Sequence, residues 1–415
     1  DSQSEVPDRQ GSQDIQTAVV RQQSEGRSCS PATSQPSRVG EGQTSAAQDV
    51  DRQLPTSVVV EAFKEAKVLT GSLRTSSAVK RNSLGGPSAV DYALAKWRPK
   101  KTQPRNAFIV LNIMLVAIVL GNLVAATTWP LYYLWWPYLC WSLVDNTSSK
   151  GGRLWPALRR ADYWKQLADY FPVHLHAQVK LDPSKRYIFG YHPHGVISLG
   201  ALLNFGTNAT GFEELFPGID MRLLTLNVNF KVPLHRELLL WLGICDASAE
   251  SITHHVGRCQ GKAGNAVMLV VGGAAESLHS QPGFYRLKLR DRQGFVKMAL
   301  KTGAHLVPVF SFGENDVFNV LKPAENSAAE RLQACLKKNF GFTLPLAYGE
   351  MGLMPKREPI FTVVGTPLEC PHSPEPTDEE ITWWHNQYME ALLDIWNEYK
   401  NSVAFNRVAG LDIGG

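Results

Sequence analysis

Residues 107–126 are twenty consecutive positions without a charge, Ala-Phe-Ile-Val-Leu-Asn-Ile-Met-Leu-Val-Ala-Ile-Val-Leu-Gly-Asn-Leu-Val-Ala-Ala, and no other feature restricts the fold so strongly. As a helix the run spans about 30 Å, the thickness of a hydrocarbon core. Thr127-Thr128 and Trp129-Pro130 interrupt it. A second apolar stretch continues through Trp135, Trp136, Pro137, Trp141 and Val144 to the first carboxylate, Asp145, and its two prolines predict a shorter, broken leg. Lys96, Arg98, Lys100, Lys101 and Arg105 lie before the region, and Lys150, Arg153, Arg159 and Arg160 lie after it. The positive-inside tendency therefore places both ends in the cytosol and makes 99–146 a membrane-embedded helical hairpin. A buried soluble helical hairpin is the competing arrangement.

The segment 1–98 is rich in Ser, Gln, Arg and Glu and cannot bury enough apolar surface to offset its ordering entropy, so it reads as a disordered polar tail. Val59, Phe63 and Ala66 are its one amphipathic spacing. No basic segment followed by an apolar run and a cleavage site stands near the start, and no secretory signal peptide is expected. Cys29, Cys140, Cys245, Cys259, Cys335 and Cys370 are scattered without metal-ligand spacing, as suits free thiols in a reducing compartment. A formal charge of +4 without a basic, aromatic-interleaved stripe argues against a nucleic-acid partner.

From Trp155 the chain alternates strand and helix patterns, as an α/β domain should. Strands are expected over Arg186 to Tyr191, Leu223 to Val228, Ala266 to Val271, Leu306 to Phe310 and Ile360 to Val364. Helices are expected over Val196 to Phe205, Leu234 to Leu242, Gly294 to Lys301, Ala328 to Lys338 and Glu379 to Lys400, the last opened by a Thr377-x-x-Glu380 capping box. The organisation expected is a tail over 1–98, the hairpin over 99–146, a cytosolic α/β domain over 147–405 and a short tail over 406–415.

His192-Pro193-His194-Gly195 follows the apolar run Tyr187 to Tyr191 and reads as strand, turn and helix, with Pro193 in the first helical turn. A helix dipole would then keep His194 neutral and able to accept a proton, and free amides would await an oxyanion. A satisfied surface or core histidine is the alternative. Val270-Val271-Gly272-Gly273-Ala274-Ala275-Glu276-Ser277 ends a strand in two glycines, which permit close backbone approach, and presents a carboxylate able to orient a histidine or hold a hydroxyl. If the two strands are neighbours, both motifs share the carboxyl edge of the sheet, where open α/β folds bind ligands. Arg290, Arg292, Lys297 and Lys301 crowd a helix start and suit the phosphates of coenzyme A, although a solvated basic face explains them equally well. His174-x-His176 and His254-His255 have no Asp, Glu or Cys at ligand spacing, so structural or surface roles and no metal are expected.

With these residues laid out, the chain from the hairpin to about Phe405 resembles the type 2 diacylglycerol acyltransferase family. The resemblance rests on Tyr191-His192-Pro193-His194-Gly195, Phe216-Pro217-Gly218, Gly243-Ile244-Cys245 and Gly272 to Ser277. It extends over Arg292-x-Gly294-Phe295-Val296-Lys297-x-Ala299 through Val307-Pro308 to Phe312-Gly313-Glu314-Asn315, and over Tyr388-Met389-Glu390-Ala391-Leu392. Phe108-Ile109-Val110-Leu111 is similar to the family's proposed lipid-binding Phe-Leu-x-Leu segment, with Ile109 replacing Leu.

The resemblance implies a glycerolipid-acyltransferase-like mixed sheet flanked by helices, in an endoplasmic-reticulum membrane enzyme that moves a fatty acyl group from acyl-CoA to diacylglycerol. Acyl-CoA is then a co-substrate, with no cofactor and no acyl-enzyme. The partners are acyl-CoA, diacylglycerol, the lipid bilayer and the lipid-droplet surface, and a homo-oligomer is left open. His194 is assigned as general base, with His192 as its rival, Glu276 as orienter or acceptor-binding group, and Gly195 as an oxyanion donor. Phe108, Leu111, Gly272 and Gly273 are assigned to substrate binding. The wider glycerolipid acyltransferases carry His-x-x-x-x-Asp, whereas Leu199 and Ile197 stand fifth after the two histidines, so an orienting carboxylate must come from elsewhere. Ser277 and Leu278 replace the Gly-Thr-Arg that follows the glutamate of their second motif, which favours a neutral acceptor over lysophosphatidate. Monoacylglycerol and long-chain alcohols are neutral too. A membrane thioesterase or lipase lacks its Gly-x-Ser-x-Gly elbow here, and a non-catalytic lipid-droplet hairpin protein leaves His194 and Glu276 unexplained.

Overall fold

The computed structural model describes residues 105–257, 262–321 and 354–414, with stretches between 323 and 350. All of them belong to one unit, Ser72–Gly415. The segment 1–98, Cys29, Cys259 and part of the helix expected over Ala328 to Lys338 lie outside the described residues, as do the side chains of Phe108 and Leu111.

Runs of β-branched and aromatic residues form eleven strands among the described residues: β1 Val173–Ala177, β2 Tyr187–His192, β3 Asp220–Thr225, β4 Cys245–Asp246, β5 Asn265–Val270, β6 Tyr285–Lys288, β7 His305–Phe312, β8 Asn319–Leu321, β9 Leu346–Tyr348, β10 Ile360–Val364 and β11 Leu411–Gly414. Seven build one mixed sheet in the order β1-β10-β7-β2-β5-β3-β4. Neighbours from β7 to β4 are parallel, β10 is antiparallel to β7, and β1 is parallel to β10. Tyr191 pairs with Val270 on one side, and His192 with Phe310 on the other. Both faces are covered. Ile188 and Phe189 point to opposite cores and both are fully buried, which is why β2 shows an unbroken apolar run rather than alternation.

The helices used below are α1 Arg105–Thr127, α2 Tyr132–Val144, α3 Leu199–Ala201, α4 His235–Trp241, α5 Gly273–Ser277, α6 Gly294–Thr302 and α7 Asp378–Val403. α7 begins as its sequence dictates: Thr377 Oγ1 accepts the Glu380 amide at 3.2 Å, and the Glu380 carboxylate accepts the Thr377 amide at 2.9 Å. Its buried face, Tyr388, Leu392 and Trp396, packs in the same core as Phe310 and Phe312 of β7.

Three expectations change. The helix expected over Val196 to Phe205 is a turn over 194–198, then the short α3, then a π-helical turn over Leu202–Gly206. Gly195 and Ser198 take left-handed φ angles of 63° and 52°, which no helix can contain. Pro193 therefore lies in the turn, after a cis peptide bond, and not in a helix. The strand expected over Leu223 to Val228 ends at Thr225, because Asn227–Lys231 wraps into a 3₁₀ turn. Residues 406–415, read as a tail, carry β11, which pairs in parallel with β6.

α1 and α2 meet at a bend of 115°. No single helix among the described residues is long and apolar enough to cross a membrane, but this pair passes by length and composition together. α2 continues through Pro137. Ile113, Val119, Leu123, Leu134 and Val144 are 62–75% exposed, so the core-buried hairpin considered as the alternative does not form. Asn122, Tyr138 and Asp145 of this region reach the α/β domain. Asn122 Nδ2 donates to the Pro233 carbonyl at 2.9 Å, and Asn122 Oδ1 accepts the Trp135 indole N–H. Tyr138 donates to Glu237, and Asp145 accepts from Arg153 and Arg236 at 2.8 and 2.6 Å.

Candidate active site

Because β7, β2 and β5 are parallel neighbours, the three loops that leave their carboxyl ends meet at one edge. They carry Glu314, the His-Pro-His-Gly turn and Glu276.

His192 is the last residue of β2 and is fully buried. The Tyr388 hydroxyl spends its proton on the Gly190 carbonyl at 2.9 Å, so the 3.1 Å contact with His192 Nε2 requires Nε2–H to donate to the tyrosine oxygen. Burial, followed by the neighbouring His385, pushes the pKa of His192 down to about 3. This neutral imidazole is held inside the core between β2 and α7.

His194 is half-buried at the open side of the turn. Its Nδ1 lies 3.0 Å from the Gly195 carbonyl oxygen, which can only accept, so Nδ1 carries the proton and Nε2 keeps a lone pair. Burial lowers the pKa of the ring, with the Gly195 hydrogen bond opposing. Neutrality follows from burial and not from a helix dipole, since no helix starts here.

Glu276 comes from α5 and is 2% exposed. Its Oε1 accepts the His194 main-chain N–H at 2.5 Å and its Oε2 the Lys288 N–H at 2.7 Å. The carboxylate holds the backbone of His194, not the ring expected from the sequence. Burial raises its pKa to about 7 against those two amides and the charges of Arg292 and Lys288. The glycine pair divides its work. A Cβ on Gly272 would fall 2.1 Å from Glu276 Oε2, so the carboxyl occupies that space, whereas Gly273 supplies a φ of 61° with open space around it.

Glu314, quoted in the sequence only as part of a motif, is the residue to which no role was given. It is 2% exposed, and its Oε2 accepts the Tyr191 hydroxyl at 2.7 Å and the Gly200 N–H at 3.0 Å. The first amides of α3, expected to await an oxyanion, are thus turned toward the protein's own carboxyl. Burial pushes the Glu314 pKa up to about 7. Gly195 N–H keeps no hydrogen-bond partner among the described residues.

Arg290, Arg292, Lys297 and Lys301 are all exposed, but only the first three lie around the start of α6; Lys301, expected among them, stands in its last turn, because the helix carries it two turns away. Arg290 rims a cavity of about 340 Å³ with Asn386, Met389, Glu390, Leu393 and Ile413. A larger cavity of about 510 Å³, bordered by Arg159, Phe216 and Met221, lies at the amino end of β3 and so at the opposite end of the sheet from His194. His176 stacks on Phe361 in β1, and His255 is buried at a helix end beside His254. Among the described residues no cluster of three or more His, Cys, Asp or Glu side chains could hold a metal ion. Cys140, Cys245, Cys335 and Cys370 are free thiols.

A mixed α/β sheet that gathers a neutral imidazole and two buried carboxyls at the carboxyl ends of three parallel strands is an enzyme scaffold. Residues 122–413 match the family model described as diacylglycerol acyltransferase. Diacylglycerol O-acyltransferase 2A of Umbelopsis ramanniana is 45% identical over 291 residues, 67% of this chain and 81% of the relative. The 2-acylglycerol O-acyltransferase 1 of Bos taurus is 42% identical over 70% of this chain and 89% of its own length, and the human diacylglycerol O-acyltransferase 2 is 39% identical over 74% and 80%. The chain belongs to the diacylglycerol acyltransferase family.

Proposed function

We propose that this acyltransferase moves a fatty acyl group from acyl-CoA to the free hydroxyl of diacylglycerol, giving triacylglycerol and free CoA, with His194 as general base. The observation that carries the reading is the His194 ring itself: Nδ1–H is held by the Gly195 carbonyl, Nε2 is left as a lone pair, and the residue is half-buried at the carboxyl edge of the sheet. Nε2 takes the hydroxyl proton as the oxygen attacks the thioester carbonyl. The C–S bond then breaks, and the proton passes to the departing thiolate. Glu276 fixes the His194 backbone. The unpaired N–H of Gly195 suits the oxyanion, as the amides of His194 and Gly200 are already taken. Arg290, Arg292, Lys297 and Lys301 are assigned to the coenzyme A phosphates, and Phe108, Leu111, Gly272 and Gly273 to the lipid substrates. His192 serves the site from within the core.

The exposed apolar surface of α1 and α2 supports a lipid-embedded hairpin over 99–146, preceding a cytosolic glycerolipid-acyltransferase-like domain, in the endoplasmic-reticulum membrane or at a lipid-droplet surface. The similarity to a 2-acylglycerol acyltransferase keeps monoacylglycerol as the second acceptor. Labelled acyl-CoA offered with diacylglycerol, monoacylglycerol, a long-chain alcohol, lysophosphatidate or water alone tests the assignment. Diacylglycerol should turn over fastest; faster transfer to monoacylglycerol selects the second reading, and equal turnover with lysophosphatidate or water overturns both.

A further inference from the structure

We infer that Glu314 is a positioning residue for this acyl transfer, shaping residues 195–200 so that the Gly195 carbonyl holds His194 with its Nε2 lone pair free; the inference rests on the His194 reading above. The turn is built around this side chain. A Cβ on Gly195 would lie 2.6 Å from Glu314 Cγ, and one on Gly200 would lie 2.5 Å from Glu314 Oε2. A side chain at Gly195 would meet the glutamate, and one at Gly200 would meet the Tyr191 hydroxyl at 2.4 Å as well as the glutamate. Gly195 also needs its left-handed φ of 63°, which brings its carbonyl back toward the ring of His194. The physical path is therefore short: Glu314 supports Gly195, and Gly195 sets the tautomer of His194. At its far end the carboxyl is anchored by the Tyr191 hydroxyl from β2 and by the Gly200 N–H, which fixes the turn to two neighbouring strands.

The pattern of these bonds distinguishes Glu314 from Glu276. Both short contacts of Glu314 fall on one oxygen, which a glutamine carbonyl can replace, and the exchange gives up only the longer 3.3 Å bond of Oε1 with the same Gly200 amide and the secondary contacts with the Leu199 N–H and the Ser311 hydroxyl. Each oxygen of Glu276 accepts a different main-chain N–H, and an amide cannot do both.

Steady-state kinetics of the full chain in membranes, with acyl-CoA and diacylglycerol varied separately, test the inference with Glu314→Gln, Glu314→Asp and Tyr191→Phe. Glu314→Gln should keep kcat within about threefold of wild type. Glu314→Asp, one methylene short, should lower kcat about tenfold or more while both KM values stay within about twofold. In a His194→Ala background the same change should cost less than about twofold, because its effect passes through the imidazole. If Glu314→Asp does not fold, Tyr191→Phe replaces it and should lower kcat about threefold at unchanged KM. Wild-type kcat in the Asp and Phe variants, KM values that rise in step with the loss, or equal losses with and without His194 would overturn the inference. Near-normal turnover in His194→Ala alone would instead overturn the His194 reading.

Discussion

His194, the proposed base, has its Nδ1–H held by a main-chain carbonyl, and this leaves its two ring nitrogens in fixed roles. His194→Ala should therefore lower turnover about 100-fold or more, roughly 3 kcal/mol of barrier, with folding retained. His192→Ala should differ in kind. It removes a fully buried ring that donates to Tyr388, so thermal unfolding should shift downward by about 1–3 kcal/mol of stability. Loss of activity in His192→Ala at wild-type stability, with His194→Ala near normal, would exchange the two roles. Glu276 adds a pH signature. Its pKa rises from 4.5 to about 7, so the folded protein keeps this proton to higher pH than the unfolded chain. The stability so gained is fully present below the unfolded value and is lost as pH rises through about 7. Glu276→Gln has no such proton, and it also sets an amide N–H₂ against one main-chain N–H, a mismatch worth about 1–3 kcal/mol. The melting-temperature gap between wild type and this variant should thus narrow between about pH 5 and pH 8. A gap independent of pH would remove Glu276 as a titrating group.

Among the elements, the junction of α2 and α4 is held by a network of paired charges. Asp145 at the end of α2 accepts from Arg153 and Arg236, Glu237 accepts from both of those arginines, and the Trp141 ring lies 4.8 and 5.2 Å from the two guanidinium carbons. Arg236 is 1% exposed, so its charge depends on these partners. Asp145→Ala should destabilise the docked hairpin by on the order of 3 kcal/mol. Limited proteolysis between residues 128 and 153 should then accelerate, and a cleavage rate equal to wild type would show that apolar contacts alone hold the hairpin.

For the molecule as a whole, the two apolar helices and the candidate site belong to one unit, which suits the proposed meeting of a lipid acceptor with a water-soluble thioester. The proposed cytosolic face makes a covalent prediction. Asn208-Ala209-Thr210 matches the glycosylation pattern, and the Asn208 side chain is half-exposed beside Glu214. It should remain unmodified in cells. An endoglycosidase-sensitive mass shift that vanishes with Asn208→Gln would place the catalytic domain in the lumen.

What the sequence determined by itself was everything set within a few residues. The uncharged run 107–126, the capping box of Thr377 and Glu380, and the apolar strands through Ile188, Val267, Val307 and Phe361 follow from local periodicity and local hydrogen bonding. The meeting of Glu276 with the His-Pro-His-Gly turn was legible as well, since both motifs end strands and parallel strands deliver their ends to one edge. The tertiary structure decided which atoms meet. Glu276 is bonded 82 residues away from its position in the chain and Glu314 123 residues away, and only the order β7-β2-β5 puts one carboxyl on each side of His194. The same distance in sequence hid β11, which needs β6 as its partner, and the broken helix after Gly195, whose left-handed turn packs against Glu314. Local propensity acts over one or two helical turns, whereas close packing of a carboxyl against a glycine is a property of strand order that no window of sequence contains.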